Sequence, residues 1–196
     1  MSLSEFSGVV AGLVFAVSAS WYTIDVANKK VKASIATFFI FMLINLSQLA
    51  SLIAQHVWHV VPFTLVGTVT SLLICLYALR NRRVYFELLD KLALIGALIG
   101  FLLWVLTKDA AVNLYIISLV NLVAFTPLIV KSFKYPDLET VLPWQLNLVA
   151  STFLILTIDS SMPIVWVVPV RQFICSLLLN IGLYRGLFKA GLKGRL

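Results

Sequence analysis

The chain has 196 residues, 61% of them hydrophobic and 12% charged, with a net charge of +7. A soluble domain of this length has too little interior to hide that much apolar surface, and the apolar runs leave no stretch for a separate soluble catalytic domain. The basic residues fall in short segments between those runs, so no exposed basic face remains for nucleic acid.

The N-terminus carries Glu5 and no basic residue, unlike the start of a secretory signal peptide. Residues 6–24 are free of charge and predict a first helix over 5–27. Crossing a bilayer takes roughly 20 helical residues. The next charge-free run, 33–79, is long enough to cross twice, and its polar break at 55–59 predicts helices over 33–55 and 60–80. His56 and His59 in that break lack the further ligands a metal site needs and read as interfacial side chains. The fourth helix is predicted over 86–107, the fifth over 110–131, the sixth over 140–158 and the seventh over 162–185. The expected fold class is therefore all-α integral membrane with seven transmembrane helices.

Within those helices, Pro62, Pro143, Pro163 and Pro169 sit in or near first turns, where proline is tolerated. Pro127 lies deeper, near the end of the fifth helix, and is a hinge candidate. Gly96 and Gly100 have the spacing of a close helix–helix contact, within one chain or between protomers of a homo-oligomer. Cys75 and Cys175 fall mid-helix and read as small apolar packing residues.

Seven crossings put the loops at 28–32, 80–85 and 131–139 and the C-terminal segment on one side. That side holds all of the 15 basic residues except Lys108 and Arg171. The positive-inside rule then predicts an external N-terminus and a cytoplasmic C-terminus. Trp58, Trp104 and Trp166 fall at outer helix ends and Trp21 and Trp144 at inner ones, as an aromatic belt requires. Lys189, Lys193 and Arg195 read as an anchor on anionic lipid.

The sequence also repeats itself. Displacing it by 107 residues lays Val60-Val61-Pro62 on Val167-Val168-Pro169 and Leu76-Tyr77 on Leu183-Tyr184. A displacement of 106 lays Trp21 on Pro127, Asn45 on Ser151, and the loop at 28–32 on the one beginning at Lys134. This predicts two copies of a three-helix unit, 1–83 and 110–187, with a linker helix over 84–109 and a basic tail over 188–196. A three-helix unit ends on the side opposite its start, so one extra crossing makes the two copies parallel. Transporters built from parallel repeats hold substrate between the halves, near the midplane.

This plan resembles the SWEET/PQ-loop transporter superfamily, and the chain is most similar to bacterial seven-helix PQ-loop-like membrane proteins. The segments carrying the resemblance are Trp21-Tyr22-Thr23-Ile24-Asp25 through Lys30-Val31-Lys32-Ala33-Ser34, and Thr126-Pro127-Leu128-Ile129-Val130-Lys131 through Asp137-Leu138-Glu139-Thr140. The resemblance implies the 3+1+3 fold, transport by alternating access, and a bacterial inner (plasma) membrane. Pro127 fits the family's proline in the second copy, whereas Trp21 replaces it in the first and neither copy has the glutamine that follows it. Sugar-transporting members contact substrate with an Asn pair on the third and seventh helices. Asn180 stands for one of these, but its counterpart at a displacement of 107 is Leu73. The resemblance thus implies transport without implying sugar.

Arg171 is the one charge between residues 160 and 184. At about 1.5 Å per residue it lies roughly 18 Å and 21 Å along the helix from Asp159 and Arg185. A guanidinium at that depth costs several kcal/mol unless answered, and it is a functional candidate by default. Asn45, Gln48, Asn121, Asn147, Ser151 and Gln172 fall near the same level, with Asn180 on the seventh helix as the family-matched position. Such side chains either pair across helices or line a wet cavity, and this set with Arg171 reads as a substrate site. An arginine fork suits a carboxylate or phosphate. Trp144 and Phe38 match at a displacement of 106 and are candidates for an aromatic cage. Asp25 either pairs with Lys29 or Lys30 or, by the resemblance, couples protons. Asp137 and Glu139 are interfacial, Glu139 near a helix N-terminus.

The expected function is a small-molecule transporter of a polar metabolite, either anionic, zwitterionic or bearing an acceptor-rich ring if Arg171 faces the cavity, with substrate and lipid bilayer as its partners and no cofactor. The alternatives are a receptor or sorting protein on the same fold, or a vitamin or nucleoside carrier resembling the nicotinamide riboside transporters. No acid pair, metal cluster or nucleophile–base pair points to an enzyme. A retinal photoreceptor needs a lysine in the seventh helix, and residues 160–184 contain none.

Overall fold

The computed structural model describes residues 2–31, 35–80, 88–158 and 163–193. Helix α1 (Leu3–Ala27) begins where Ser2 and Glu5 exchange capping bonds: the Glu5 amide donates to the Ser2 hydroxyl, and the Ser2 amide donates to the Glu5 carboxylate. α2 (Ile35–Ala54) ends at the polar break, where His56 turns at φ 55°. A short 3-10 turn, Trp58–Val60, leads directly into α3 (Val61–Arg80). α4 spans Leu88–Thr107. α5 (Ala110–Lys134) is capped by the Asp109 carboxylate, which accepts from the Ala111 and Val112 amides. A second 3-10 turn, Pro136–Leu138, precedes α6 (Val141–Ile155), and α7 covers Pro163–Lys193.

The described residues are thus all-helical, with seven α-helices. Five spans are long and apolar enough to cross a membrane: Leu3–Ala27, Thr37–Ala54, Trp58–Tyr77, Ala110–Lys134 and Ile164–Gly186. They mark the chain as an integral membrane protein. α4 has 20 residues. α6 stops at Ile155 rather than at 158 because the backbone tightens there. The Leu156, Thr157 and Ile158 amides donate to Phe153, Leu154 and Ile155, three residues back, and the Thr157 hydroxyl also takes the Leu154 carbonyl. α7 runs past 185, so part of the expected tail is helical. Gly182 and Gly186 let α7 lie flat on α5 and the second 3-10 turn, since a side chain at either position would overlap Ser132 or Pro136. The loop expected at 81–85, with the boundary at 83/84, lies outside the described residues. So do Lys32, Asp159 and Arg195, Gly100, and the side chains of Trp104, Lys189 and Lys193.

α3 packs between α1 and α2, and α7 packs between α5 and α6. α1 against α6 and α2 against α5 close these into a ring of six helices, with α4 lying outside on α5 and beside α2. Gly96 of α4 faces Val120 of α5, so that close approach is made within the chain. The Tyr77 hydroxyl donates to the Ala27 carbonyl, and Gln145 pairs with the Tyr184 hydroxyl. These bonds gather Lys30, Lys131 and Arg185 at one end of the ring, called the basic end below.

The ring is apolar outside and polar inside. Leu13, Val17 and Ile24 of α1, Leu65, Val69, Leu72 and Leu76 of α3, and Ile174, Leu178 and Ile181 of α7 are exposed at helical spacing. Gln48, Asn113, Asn121, Asn147, Arg171, Gln172 and Asn180 are buried. Such an inversion suits a protein whose solvent is hydrocarbon. Trp21, Trp58 and Trp166 are exposed as an aromatic belt requires, but Trp144 is buried inside the ring. Two apolar clusters fill the ends. One, containing Ile40, Ile44, Ile117, Leu179 and Leu183, also holds the free Cys75 and Cys175 as packing residues. The other contains Leu52, Val60, Leu114, Leu154 and Val168.

Candidate functional site: a cavity enclosed by six helices

Between the two clusters the ring leaves a cavity of about 80 Å³ open to the centres of water-sized molecules. At roughly 10–15 Å³ per water centre this holds several waters or a small solute. All six ring helices line it, and no described residue of α4 does. α1 supplies Phe15, Ser18, Ala19 and Tyr22, the i, i+3, i+4 and i+7 positions of one face. α2 supplies Phe38, Phe41, Asn45 and Gln48; α3 supplies Phe63, Thr64, Gly67, Thr70 and Ser71. Asn121 and Phe125 come from α5, Pro143, Trp144 and Asn147 from α6, and Arg171 and Gln172 from α7.

The charge in this wall is Arg171. It is only 6% exposed, and its Nε and Nη1 atoms are buried without a hydrogen-bond partner. Among the described residues no carboxylate forms an ion pair with it; the ion pairs described are Lys30–Asp25 and Lys131–Glu139. Gln172, next in sequence, donates to Asn147 Oδ1 at 3.3 Å, and the Ser176 hydroxyl reaches the same oxygen at 2.5 Å. Asn147 is thereby held, and Arg171 is left facing the cavity.

Gln48 is also partly committed. Its Nε2 donates to Thr64 Oγ1 at 3.0 Å, and the Thr64 hydroxyl in turn donates to the Val60 carbonyl. In this arrangement Thr64 accepts from Gln48, and Gln48 Oε1 is left without a partner. Asn121 Oδ1 is likewise buried and unpaired. Asn45 lies against Gly67, whose missing side chain makes room for its amide: a Cβ there would sit 3.1 Å from Nδ2. The Ser18 hydroxyl donates to the Pro143 carbonyl at 2.6 Å, joining α1 to α6 across the wall.

Toward the basic end the cavity has an aromatic floor. Trp144 meets Tyr22 edge-on at 5.3 Å, Tyr22 lies 5.7 Å from Phe38, and Phe38 lies 5.9 Å from Phe41. Phe41 then packs on Phe125 at 4.8 Å. At the other end Phe15 and Phe63 stack at 4.2 Å and 14°. The floor is tied to an ion pair beneath it. Trp144 Nε1 donates to one Glu139 oxygen at 3.3 Å, while the other accepts Lys131 at 2.6 Å. Glu139 is buried and Lys131 is partly exposed at that end.

Of the residues expected in a substrate site, Arg171, Asn45, Gln48, Asn121, Asn147 and Gln172 line one cavity. Ser151 and Asn180 do not. The Ser151 hydroxyl turns back onto its own helix at Leu148, a bond open to any helical serine. Asn180 donates to the Trp144 and Ser176 carbonyls, fastening α7 to α6 below the floor. Asp25 is buried 3.6 Å from Lys30, outside the cavity. Pro127 interrupts the hydrogen bonding of an otherwise continuous α5 and is not in the wall. Trp144 and Phe38 do share one aromatic assembly, through Tyr22. Sequence reasoning did not single out Tyr22, Phe41, Phe125 and Thr64 as lining residues, because an aromatic or threonine in an apolar helix carries no mark of the face it occupies. The i+3 and i+4 spacing of Ser18, Ala19 and Tyr22 was the available signal.

Compared with family models, curated proteins and solved structures, the chain matches none.

Proposed function

We propose that this chain is a membrane transporter that carries a small polar, anionic metabolite through the central cavity by alternating access. The observation that carries the proposal is Arg171, a buried cation with unpaired donors in the wall of a cavity. Leaving it so is costly in a bilayer, and a bound anion is the missing counter-charge. A purely structural arginine would have its donors taken up by carbonyls or a carboxylate of neighbouring helices.

Two observations support a 3+1+3 plan like that of the SWEET/PQ-loop transporters. The neighbours of each ring helix are reproduced when α1, α2 and α3 are exchanged for α5, α6 and α7. Positions matched by the sequence repeat also recur in the wall. Phe15 and Asn121, Ala19 and Phe125, Phe38 and Trp144, and Phe41 and Asn147 match at a displacement of 106, and Thr64 and Arg171 match at 107. On this reading the two halves rock about the cavity, Pro127 serves as a hinge in α5, and the Trp144–Glu139–Lys131 contact closes the basic end. The basic end faces the cytoplasm of a bacterial cell, by the positive-inside rule.

The test is uptake by proteoliposomes containing the purified full chain, screened with labelled carboxylates, amino acids, nucleosides and sugars. Saturable uptake of an anion by wild type and none by Arg171→Gln supports the proposal. Binding without translocation of any compound makes the chain a receptor. Equal uptake of a neutral sugar by both proteins removes Arg171 from the site.

A further inference from the structure

Resting on the transport reading, the lining of the cavity narrows the substrate further. We infer that the site takes a small planar monocarboxylate, a flat ring bearing one carboxylate and one hydrogen-bond donor. Three separate features of the wall each demand one part of that molecule.

The carboxylate follows from Arg171. Its Nε and Nη1 are buried without a hydrogen-bond partner, and no described carboxylate pairs with it, so these donors are left for the oxygens of a ligand. A neutral hydroxyl or carbonyl would accept one of these bonds and leave the charge unanswered.

The ring follows from the floor. Tyr22, Phe38, Phe41 and Trp144 present a nearly continuous aromatic surface from three helices. Asn147 stands one turn above Trp144 on α6 and bonds Gln172, the neighbour of Arg171. The cation and the floor therefore line one small cavity of about 80 Å³. That space suits a six-membered ring lying against the aromatics with a carboxylate on its edge. It leaves no depth for a long acyl chain.

The donor follows from Gln48 and Asn121. With Gln48 Nε2 donating to Thr64, Gln48 Oε1 is a buried acceptor without a partner, open to an N–H or O–H. Asn121 offers a second such oxygen. A ligand lacking a donor would keep both oxygens desolvated and unpaired, which a site of this kind discriminates against strongly.

The experiment is equilibrium binding to wild-type full chain in nanodiscs, with 4-hydroxybenzoate as the probe. Benzoate, 4-hydroxybenzamide, acetate, decanoate, inorganic phosphate and glucose are the comparisons. The expected order places 4-hydroxybenzoate first, with benzoate weaker by about 10-fold for the lost donor. The amide is expected to be weaker by about 100-fold for the lost charge. Acetate, decanoate, phosphate and glucose should compete at least as poorly as the amide. Equal affinity for 4-hydroxybenzoate and its amide overturns the inference, as does preferential binding of phosphate, decanoate or glucose, or no binding of 4-hydroxybenzoate. Counterflow of labelled 4-hydroxybenzoate in proteoliposomes separates the two levels. Binding in the expected order without counterflow keeps the ligand class and overturns transport. Counterflow of a different compound keeps transport and overturns the class.

Discussion

Replacing Arg171 with methionine should stabilise the ligand-free protein, a sign opposite to that for most buried side chains. Methionine keeps roughly the aliphatic stem of arginine and removes the guanidinium, which is 6% exposed and has Nε and Nη1 unpaired. An arginine at the centre of a membrane helix is unfavourable by about 2.5–3.5 kcal/mol on insertion scales. Exchange of buried ionic groups for apolar residues of similar volume is often neutral or stabilising by about 1–4 kcal/mol. Water entering the cavity would relieve part of the charge, so the expected gain for Arg171→Met is about 1–3 kcal/mol. Chemical unfolding of wild type and variant in the same micelles, without ligand, measures it. The variant should also lose all stabilisation by an anionic ligand. A structural arginine answers differently: removing one member of a buried pair typically costs about 3–5 kcal/mol. A loss of that size would mean the guanidinium is satisfied by the protein, and the argument for an anion site would fall.

Trp144→Phe keeps a ring on Tyr22 but deletes the N–H that Glu139 accepts. It should cost about 1–2 kcal/mol in unfolding and weaken closure of the basic end, read as increased accessibility of a cysteine introduced at Asn45. Gly182→Ala places a methyl into Ser132 and the Phe133 ring and should destabilise by about 1–3 kcal/mol. Gly96→Ala, whose methyl would lie 3.3 Å from a Val120 methyl carbon, should stay within about 1 kcal/mol; equal effects at the two sites would contradict the packing. Pro127→Ala restores an amide to α5, so unfolding should show equal or greater stability while the uptake rate falls several-fold. An unchanged rate would remove the hinge.

Several features of this arrangement are legible in the amino-acid sequence. Arg171 was visible because a lone charge stands out inside an apolar stretch, and Gln48, Asn121, Asn147 and Gln172 followed because amides at one depth stand out against leucine and valine. What stayed hidden was azimuth. Ser151 and Asn147 are one turn apart on α6, yet Asn147 lines the cavity and Ser151 satisfies itself on Leu148. Depth along a helix can be counted from the nearest charge, but the direction a side chain faces depends on which helices flank it, and that is a tertiary property. Asn113 makes the same point from the other side. It bonds Ser47 and Ser51 across the α2–α5 contact and holds two ring helices together without touching the cavity. Its sequence context resembles that of Asn121, two turns further along the same helix. The end of α6 was misjudged for a local reason: apolar composition continues through Ile158, while the hydrogen bonding shortens after Ile155.

The proposed repeat also explains why the cavity is lopsided. At three matched positions the second half is the more polar. Where the second half offers Asn121, Asn147 and Arg171, the first offers Phe15, Phe41 and Thr64. An unmodified duplicate would put like opposite like: two arginines would repel each other across a small cavity, and two phenylalanines would fill it. Divergence instead leaves one described charge, Arg171, among polar groups and rings from both halves: Gln48, Asn45 and Phe41 from the first, Asn121, Asn147 and Trp144 from the second. A ligand bridging such walls must itself have an ionic edge and an apolar face. It must also release one half when the other moves, since each wall satisfies only part of it. Alternating access asks for that property: a substrate held fully only when both halves close on it stabilises the occluded state more than either open one. On the proposed transport reading, the asymmetry of the lining and the repeat of the scaffold are two requirements of the same cycle.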